Sequence, residues 1–94
     1  MKPLPPKAVS YQRTREFTQS TVPAGLLRRH TTKPGVWGCI QVLEGSLRYR
    51  ILEPTLEEHV LTQEQPGVVE PEVPHEVEPL GPVRFFVEFL RVAD

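Results

Sequence analysis

Prolines restrict this chain more than any other residue type. Four of its 11 prolines, Pro66, Pro71, Pro74 and Pro79, fall within residues 65–80, which read QPGVVEPEVPHEVEPL. Each proline lacks a backbone donor and fixes φ, so a helix is excluded across this stretch. Short extended segments joined by rigid turns remain. The stretch holds one histidine, His75, and predicts that a stiff backbone aims its imidazole at a fixed point.

Strand patterns dominate the rest of the sequence. Apolar residues alternate with arginines through SLRYRILE (residues 46–53), as expected of a half-buried strand. The apolar run WGCIQVLEG (residues 37–45) precedes it, and the tight join at Gly45 predicts an antiparallel hairpin. Further strands are predicted in AGLLRRH (residues 24–30), TLEEHVLT (residues 55–62), residues 68–72, residues 75–79 and the apolar VRFFVEFLRV (residues 83–92), the last at a central position.

These short strands predict an all-β domain. About seven strands with turn signals every eight to twelve residues and almost no helix are typical of a sandwich or barrel. Residues 1–19 are proline-rich and polar, and are expected to form an N-terminal arm. Residues 20–94 then form a single β-barrel domain, which is a usual size for one core.

Composition excludes several functional classes. No apolar run approaches the about 20 residues of a membrane span, and MKPLPPKAV does not resemble a signal peptide, so a cytoplasmic location is expected. The single cysteine, Cys39, cannot form an intrachain disulfide. Nine of the 11 basic residues precede residue 51, but they are scattered and accompany no recognition helix. Nucleic acid is therefore not expected as a partner.

The histidines suggest a metal site assembled from different strands. His30, His59 and His75 form no HxH or HxxxH pair. If the last two strands pair across the turn at residues 80–82, His75 lies opposite Val87 or Glu88. A carboxylate within FFVEFL is costly to bury unless it is paired or bound to a cation.

The predicted metal ligands are therefore His30, His75 and Glu88, with Glu78 as a substitute for Glu88. Two nitrogens and one oxygen suit a divalent metal such as zinc, iron, manganese or nickel. Four further residues are candidates for a ligand pocket beside the metal. Arg28 or Arg29 would grip a carboxylate or oxyanion, while Trp37 and Tyr49 would line the cavity.

Several of these segments together resemble a known family. Residues 24–53, the run PGVVEPEVPHEVEPL and the strand VRFFVEFL are similar to the small cupin-type domain of the TehB/YeaR-like tellurite-resistance family. That family includes stand-alone proteins and domains fused ahead of a tellurite methyltransferase. The resemblance implies a cupin-like double-stranded β-helix or small jelly-roll barrel with a metal in its mouth. No methyltransferase domain is recognisable in these 94 residues, so tellurite methylation by them is not expected.

The functional expectation is a stress-response protein of cupin type. It would bind a divalent metal, and a small oxyanion or carboxylate, in the barrel mouth. A non-catalytic ligand-sensing module and a homodimeric interaction module, both without metal, are the alternatives. Whether the chain is an enzyme stays open, since dioxygen chemistry on a two-histidine, one-carboxylate metal is a third reading.

Overall fold

The computed structural model describes residues 1–93 of the chain. Within them it contains eight strands and one short 3₁₀ helix, η1. In chain order the elements are β1 (Ala8–Arg13), β2 (Phe17–Thr18), η1 (Ala24–Leu27), β3 (Trp37–Glu44), β4 (Leu47–Ile51), β5 (Glu57–Leu61), β6 (Gly67–Val69), β7 (His75–Pro79) and β8 (Arg84–Val92). No helix in residues 1–93 has the length and apolar character needed to cross a membrane.

The strands form two antiparallel sheets. The first has the order β1-β8-β3-β6, with β2 also paired to β8, and the second has the order β5-β4-β7. The all-β prediction is confirmed, and β8 is an interior strand as expected. Across residues 1–93, however, no named strand of one sheet pairs with a named strand of the other. The sheets therefore do not close into the predicted barrel.

The core lies between the inward faces of the two sheets. Side chains alternate between the two faces of a strand, so Leu47, Tyr49 and Ile51 of β4 all point the same way and are buried. Phe85 of β8 faces them from the first sheet and is 0% exposed. Full burial of an aliphatic or aromatic side chain of this size contributes about 1.5–3 kcal/mol. The sandwich is thus held mainly by apolar contact between its sheets.

The predicted hairpin of β3 and β4 is wrong. β3 pairs with β6 and β8, whereas β4 pairs with β5 and β7 in the other sheet. The chain crosses between the sheets at Gly45, whose φ is +77°. Packing explains the error, because the inward side chains of Val42 and Leu47 share one core cluster rather than lying side by side in one sheet.

The predicted strand at residues 24–30 is also wrong. Residues Ala24–Leu27 form η1, in which the N–H of Leu26 donates to the carbonyl oxygen of Pro23 at 3.0 Å. Pro23 has φ −61° and offers an acceptor three residues earlier, which favours a 3₁₀ turn over an extended strand. Only His30, at the end of this segment, makes an isolated β-bridge.

The first residues of the chain join the first sheet. β1 pairs with β8 from Ala8 opposite Val92 to Arg13 opposite Glu88. Phe17 of β2 is 7% exposed and its ring lies 5.7 Å from that of Phe85. Two strands thus lie within the segment expected to form an arm. Its predicted boundary at residue 20 stays a prediction.

Two glycines with positive φ allow a test of the sheet crossing. Gly81 has φ +110° and open space around an added Cβ, whereas at Gly45 an added Cβ would collide with the carbonyl oxygen of Pro82. We expect Gly81→Ala to cost about 1–2 kcal/mol from backbone conformation alone. Gly45→Ala should cost about 1–3 kcal/mol more, because overpacking is added. Urea unfolding measures both, and equal losses would contradict the tight crossing at Gly45.

Candidate functional site

An apolar pocket of about 250 Å³ opens between the two sheets. We call it the inner pocket. Strands β3, β6 and β8 of the first sheet, β7 of the second and the helix η1 all contribute to its lining. Its polar lining residues are two threonines and two histidines, Thr14, Thr32, His30 and His75. Its main apolar lining residues are Phe17, Ile40, Val69, Phe85, Val87 and Phe89.

Two histidines lie side by side at this pocket. The N–H of His30 donates to the carbonyl oxygen of His75 at 2.8 Å, and the N–H of His75 donates back to His30 at 2.9 Å. Their rings stand nearly perpendicular, with an interplanar angle of 79° and centroids 5.4 Å apart. The structure therefore brings these two predicted site residues together through their backbones.

The proline frame before His75 fixes its position. Glu70 and Val73 are joined by a turn in which the Val73 N–H donates to the Glu70 carbonyl at 3.3 Å. Pro71 supplies the first inner position of this turn and Glu72 the second, with φ +64°. That left-handed conformation is uncommon outside glycine. The hydroxyl of Thr32 accepts the Glu72 N–H at 3.3 Å, so the turn is tied to the loop after His30.

The imidazole of His75 has a defined protonation state. Its Nδ1 lies 3.0 Å from the carbonyl oxygen of Val73, which can only accept, so Nδ1 carries the proton. Burial lowers the pKa of His75, and the neighbouring His30 lowers it further against the opposing effect of the Val73 hydrogen bond. The ring is therefore neutral at pH 7, and its Nε2 holds a lone pair.

The Nε2 atom of His75 has no hydrogen-bond partner among the described residues, and His75 lines the inner pocket. The residue is 4% exposed, and within residues 1–93 no hydrogen bond satisfies this nitrogen. Yet no side-chain nitrogen or oxygen in those residues is both fully occluded and unpaired. Nε2 therefore keeps some accessible surface. A ligand that donates an N–H, O–H or S–H group would find its acceptor there.

A second, more polar cavity adjoins the first. We call it the outer hollow, and its volume is about 420 Å³. It shares His30, Thr32 and Phe89 with the inner pocket. Lys33 and Arg91 add two cationic side chains, and the lining includes no carboxylate. The other lining residues are Tyr11, Gln12 and Val36.

Glu88 does not join the histidines, so its predicted role as their neighbour is wrong. β7 pairs with β4, which places His75 opposite Ile51, while β8 lies in the other sheet. The Glu88 carboxylate instead accepts a hydrogen bond from the Gln41 amide at 3.2 Å. Burial and then the nearby Glu88 raise the pKa of the Cys39 thiol to about 11, which leaves that buried cysteine protonated and inert.

The substitute ligand and the predicted pocket residues also lie elsewhere. Glu78 is exposed and binds Arg48 at 2.8 Å. None of Arg28, Arg29, Trp37 and Tyr49 lines the inner pocket or the outer hollow. Arg29 is ion-paired with Glu53. Tyr49 is 1% exposed and donates its hydroxyl to the Val68 carbonyl at 2.9 Å, beneath the ring of His75.

Sequence reasoning missed most of the pocket lining. The alternation of FFVEFLRV puts Val87, Phe89 and Arg91 on one face of β8, and this signal was available. Gly38 lies opposite Phe89 in the register of β3 and β8 and also lines the inner pocket. A Cβ at Gly38 would sit 3.1 Å from the Cβ of Val69, so little more than glycine fits there.

Comparison with known proteins gives a consistent set of relatives. The family model described as TehB-like domain matches residues 12–87. A curated relative from Haemophilus influenzae, named "Probable S-adenosyl-L-methionine-dependent methyltransferase TehB", is 34% identical over 77 residues, which are 78% of this chain and 27% of that protein. The chain thus spans about a quarter of that relative's length.

Two solved structures share the fold. The crystal structure of TehB from Haemophilus influenzae has a TM-score of 0.84 at 28% identity, covering 93% of this chain and 32% of that one. A crystal structure of a protein from Escherichia coli strain K12 has a TM-score of 0.89 at 23% identity, covering 100% of both chains.

These findings overturn the predicted metal-binding cupin and its divalent metal cofactor. No group of three or more histidine, cysteine, aspartate or glutamate side chains in residues 1–93 is arranged to hold a metal ion. The curated relative is named as a probable methyltransferase that depends on S-adenosyl-L-methionine. The error arose from the assumed pairing of β7 with β8, which supplied a third ligand that the fold places elsewhere.

The neutral state of His75 predicts how stability depends on pH. Because folding lowers its pKa from the ordinary value of 6.5, the unfolded chain takes up a proton first as the pH falls. The contribution of His75 to the free energy of unfolding should therefore be at its maximum above about pH 6.5. Below that pH it should decrease by at most about 1.4 kcal/mol per pH unit.

His75→Asn tests that dependence, because it removes the titrating ring and keeps an N–H near the Val73 carbonyl. Urea unfolding at about pH 7.5 and about pH 5.5 should show a smaller loss of stability in the variant than in the parent chain. His59 lies outside the pocket, so His59→Asn is the matched control. It removes an imidazole ring without changing the pocket. An unchanged difference between the two pH values in His75→Asn would refute the assignment.

Proposed function

The chain belongs to the TehB-like domain family, and from that premise we propose that it serves methyl-transfer chemistry by binding the methyl acceptor, not the methyl donor. The single observation that carries this proposal is the inner pocket, whose largely apolar lining includes His75 with its unpaired acceptor atom, Nε2. Such a pocket suits a small apolar molecule that offers one hydrogen-bond donor.

The residues of the chain do not fit S-adenosylmethionine. That cofactor carries a sulfonium, an amino acid group and a ribose diol, and related nucleotide sites meet such groups with a glycine-rich turn, a helix N-terminus and an acidic residue. In residues 1–93 the helical structure is the four-residue η1, and the lining of the inner pocket contains no carboxylate. We therefore propose that the methyl donor binds at a site that residues 1–93 do not form.

The acceptor class follows from the free nitrogen of His75. Alcohols, phenols, thiols and amines are methylated at an atom that carries a hydrogen, and each can donate that hydrogen to a neutral imidazole. A methylated oxygen or sulfur no longer donates. The site therefore favours the unmethylated form of its ligand. Methylation removes the ligand's hydrogen-bond donor and leaves Nε2 of His75 unsatisfied.

The pocket volume limits the ligand's size. The inner pocket has a volume of about 250 Å³. A water molecule occupies about 30 Å³ in the liquid, so the pocket has room for roughly eight non-hydrogen atoms. The binding free energy per non-hydrogen atom is taken as about 0.5 kcal/mol, which lies between the values for very small ligands and for drug-sized ones. For a ligand of this size the dissociation constant would then be near 1 mM.

The strand order supports a jelly-roll sandwich. If the His30 bridge to His75 is counted as a strand, the second sheet becomes His30-β7-β4-β5 beside the first sheet, β1-β8-β3-β6. Apart from the two-residue β2, which also pairs with β8, two four-stranded sheets of this kind match the jelly-roll arrangement.

A homodimer and a cytoplasmic location both stay predictions. Leu56 is 63% exposed and Val60, on the edge strand β5, is 53% exposed, which supports a contact between chains at that edge.

Phenol and anisole test the proposed function. Phenol presents an O–H group, and anisole is its methylated counterpart without a donor. In an NMR titration we expect phenol to shift the resonances of pocket residues with a dissociation constant of about 1 mM, and anisole to bind about tenfold more weakly. S-adenosylmethionine should leave those resonances unchanged.

A pocket-filling variant supplies the control. Gly25 lines the inner pocket and has open space where a Cβ would be added, so we expect Gly25→Leu to reduce the pocket volume and weaken phenol binding. Ala24→Leu changes the neighbouring residue of η1, which does not line the pocket, and should bind as the parent does. Absence of phenol binding, or binding of S-adenosylmethionine in the same pocket, would refute the proposal.

A further inference from the structure

We propose that the ligand of this domain is an amphipathic anion, with its apolar body in the inner pocket and its negative group in the outer hollow against Lys33 and Arg91. This inference rests on the proposed function and narrows its ligand class. It is carried by a feature that the apolar pocket does not explain, namely a cationic cavity that adjoins it.

The two cavities are immediate neighbours. His30, Thr32 and Phe89 line both of them, so the outer hollow lies directly beside the inner pocket. Strand β8 passes both cavities with Val87, Phe89 and Arg91 on one face. At about 3.3 Å per residue, the side chain of Arg91 lies roughly 13 Å beyond that of Val87. The proposed ligand would span this distance past the three shared side chains.

The cations of the outer hollow have no ion-pair partner in residues 1–93. Arg29, Arg48, Arg50 and Arg84 all bind carboxylates within 4.0 Å. Neither Lys33 nor Arg91 makes such a contact with a described carboxylate, and no carboxylate lines the hollow.

Arg91 is nevertheless held in place. Its guanidinium lies over the ring of Tyr11, 5.3 Å from the centroid. That contact positions the guanidinium beside the hollow while leaving its N–H groups able to bind a carboxylate or phosphate in a bidentate manner. Lys33 approaches from the loop after His30, on a flexible stem.

Charge therefore decides between ligand classes. A cationic ligand would be repelled at the hollow, and a neutral one would leave both cations without a partner among residues 1–93. An anion would form ion pairs with both Lys33 and Arg91. Each pair is partly solvated and contributes only a modest binding free energy, so the expected gain in affinity is about three- to tenfold.

Two isosteric probes test this inference. 4-Hydroxyphenylacetate and 4-hydroxyphenylacetamide share the phenol group and differ in the charge at the other end. In an NMR titration of the parent chain, the acid should bind about three- to tenfold more tightly than the amide. Raising the salt from about 0.01 M to about 1 M should reduce this preference, because the Debye length falls from about 30 Å to about 3 Å.

Neutralising variants locate the effect. Lys33→Gln and Arg91→Gln should each reduce the preference for the acid and leave the affinity for the amide unchanged, and Arg91→Lys should restore part of it. Lys7→Gln and Arg15→Gln make the same charge changes at residues that line neither cavity, and should keep the full preference. Lys33 lies in an exposed turn, so Lys33→Gln should fold. If Arg91→Gln does not fold, Lys33→Gln alone tests the inference.

The outcomes separate the two proposals. Equal binding of acid and amide by the parent chain, or a preference that survives in both Lys33→Gln and Arg91→Gln, would overturn the anion and leave the acceptor pocket standing. Failure of the amide and of phenol to bind at all would overturn the acceptor pocket itself.

Discussion

The fold depends on the mutual covering of two apolar sheet faces. Neither sheet can bury its inward side chains alone, and Phe85 of one and Tyr49 of the other are almost fully enclosed only because the sheets face each other. This requirement sends the chain from sheet to sheet over short connections, between β3 and β4 and again between β7 and β8. The connection at Gly45 passes so close to Pro82 that no side chain fits between them.

The same requirement explains which parts of the fold could be predicted from the sequence. Alternation specifies which side chains of a strand are buried, so β4 and the strand from His75 to Pro79 were predicted with nearly their observed bounds. Alternation does not specify the neighbouring strand. A tight turn after β3 is compatible with a hairpin in one sheet and with a crossing to the other, and the choice is made by core packing far along the chain.

The site was predictable to the same degree. The proline frame around His75 and the proximity of His30 follow from local stiffness, and the structure places the two rings 5.4 Å apart. Glu88 was placed by an assumed strand pairing, and the fold puts it on the outward face of β8, next to Gln41. Alternation placed Arg91 on the same face of β8 as Val87 and Phe89, but Arg91 was missed because three separate segments form the cavity that it lines.

Charge is distributed in this site so that a bound molecule has one orientation. Burial and the neighbouring His30 keep His75 neutral inside the pocket, while Lys33 and Arg91 carry their charge at the outer end. In the proposed function, a bound acceptor would hold its reactive X–H group inward against His75, away from a methyl donor bound at another site. Methyl transfer would then require the acceptor to leave the pocket. An affinity near 1 mM would suit that role, since weak complexes of small molecules dissociate quickly, and the proposed domain would capture its ligand and release it for methylation elsewhere.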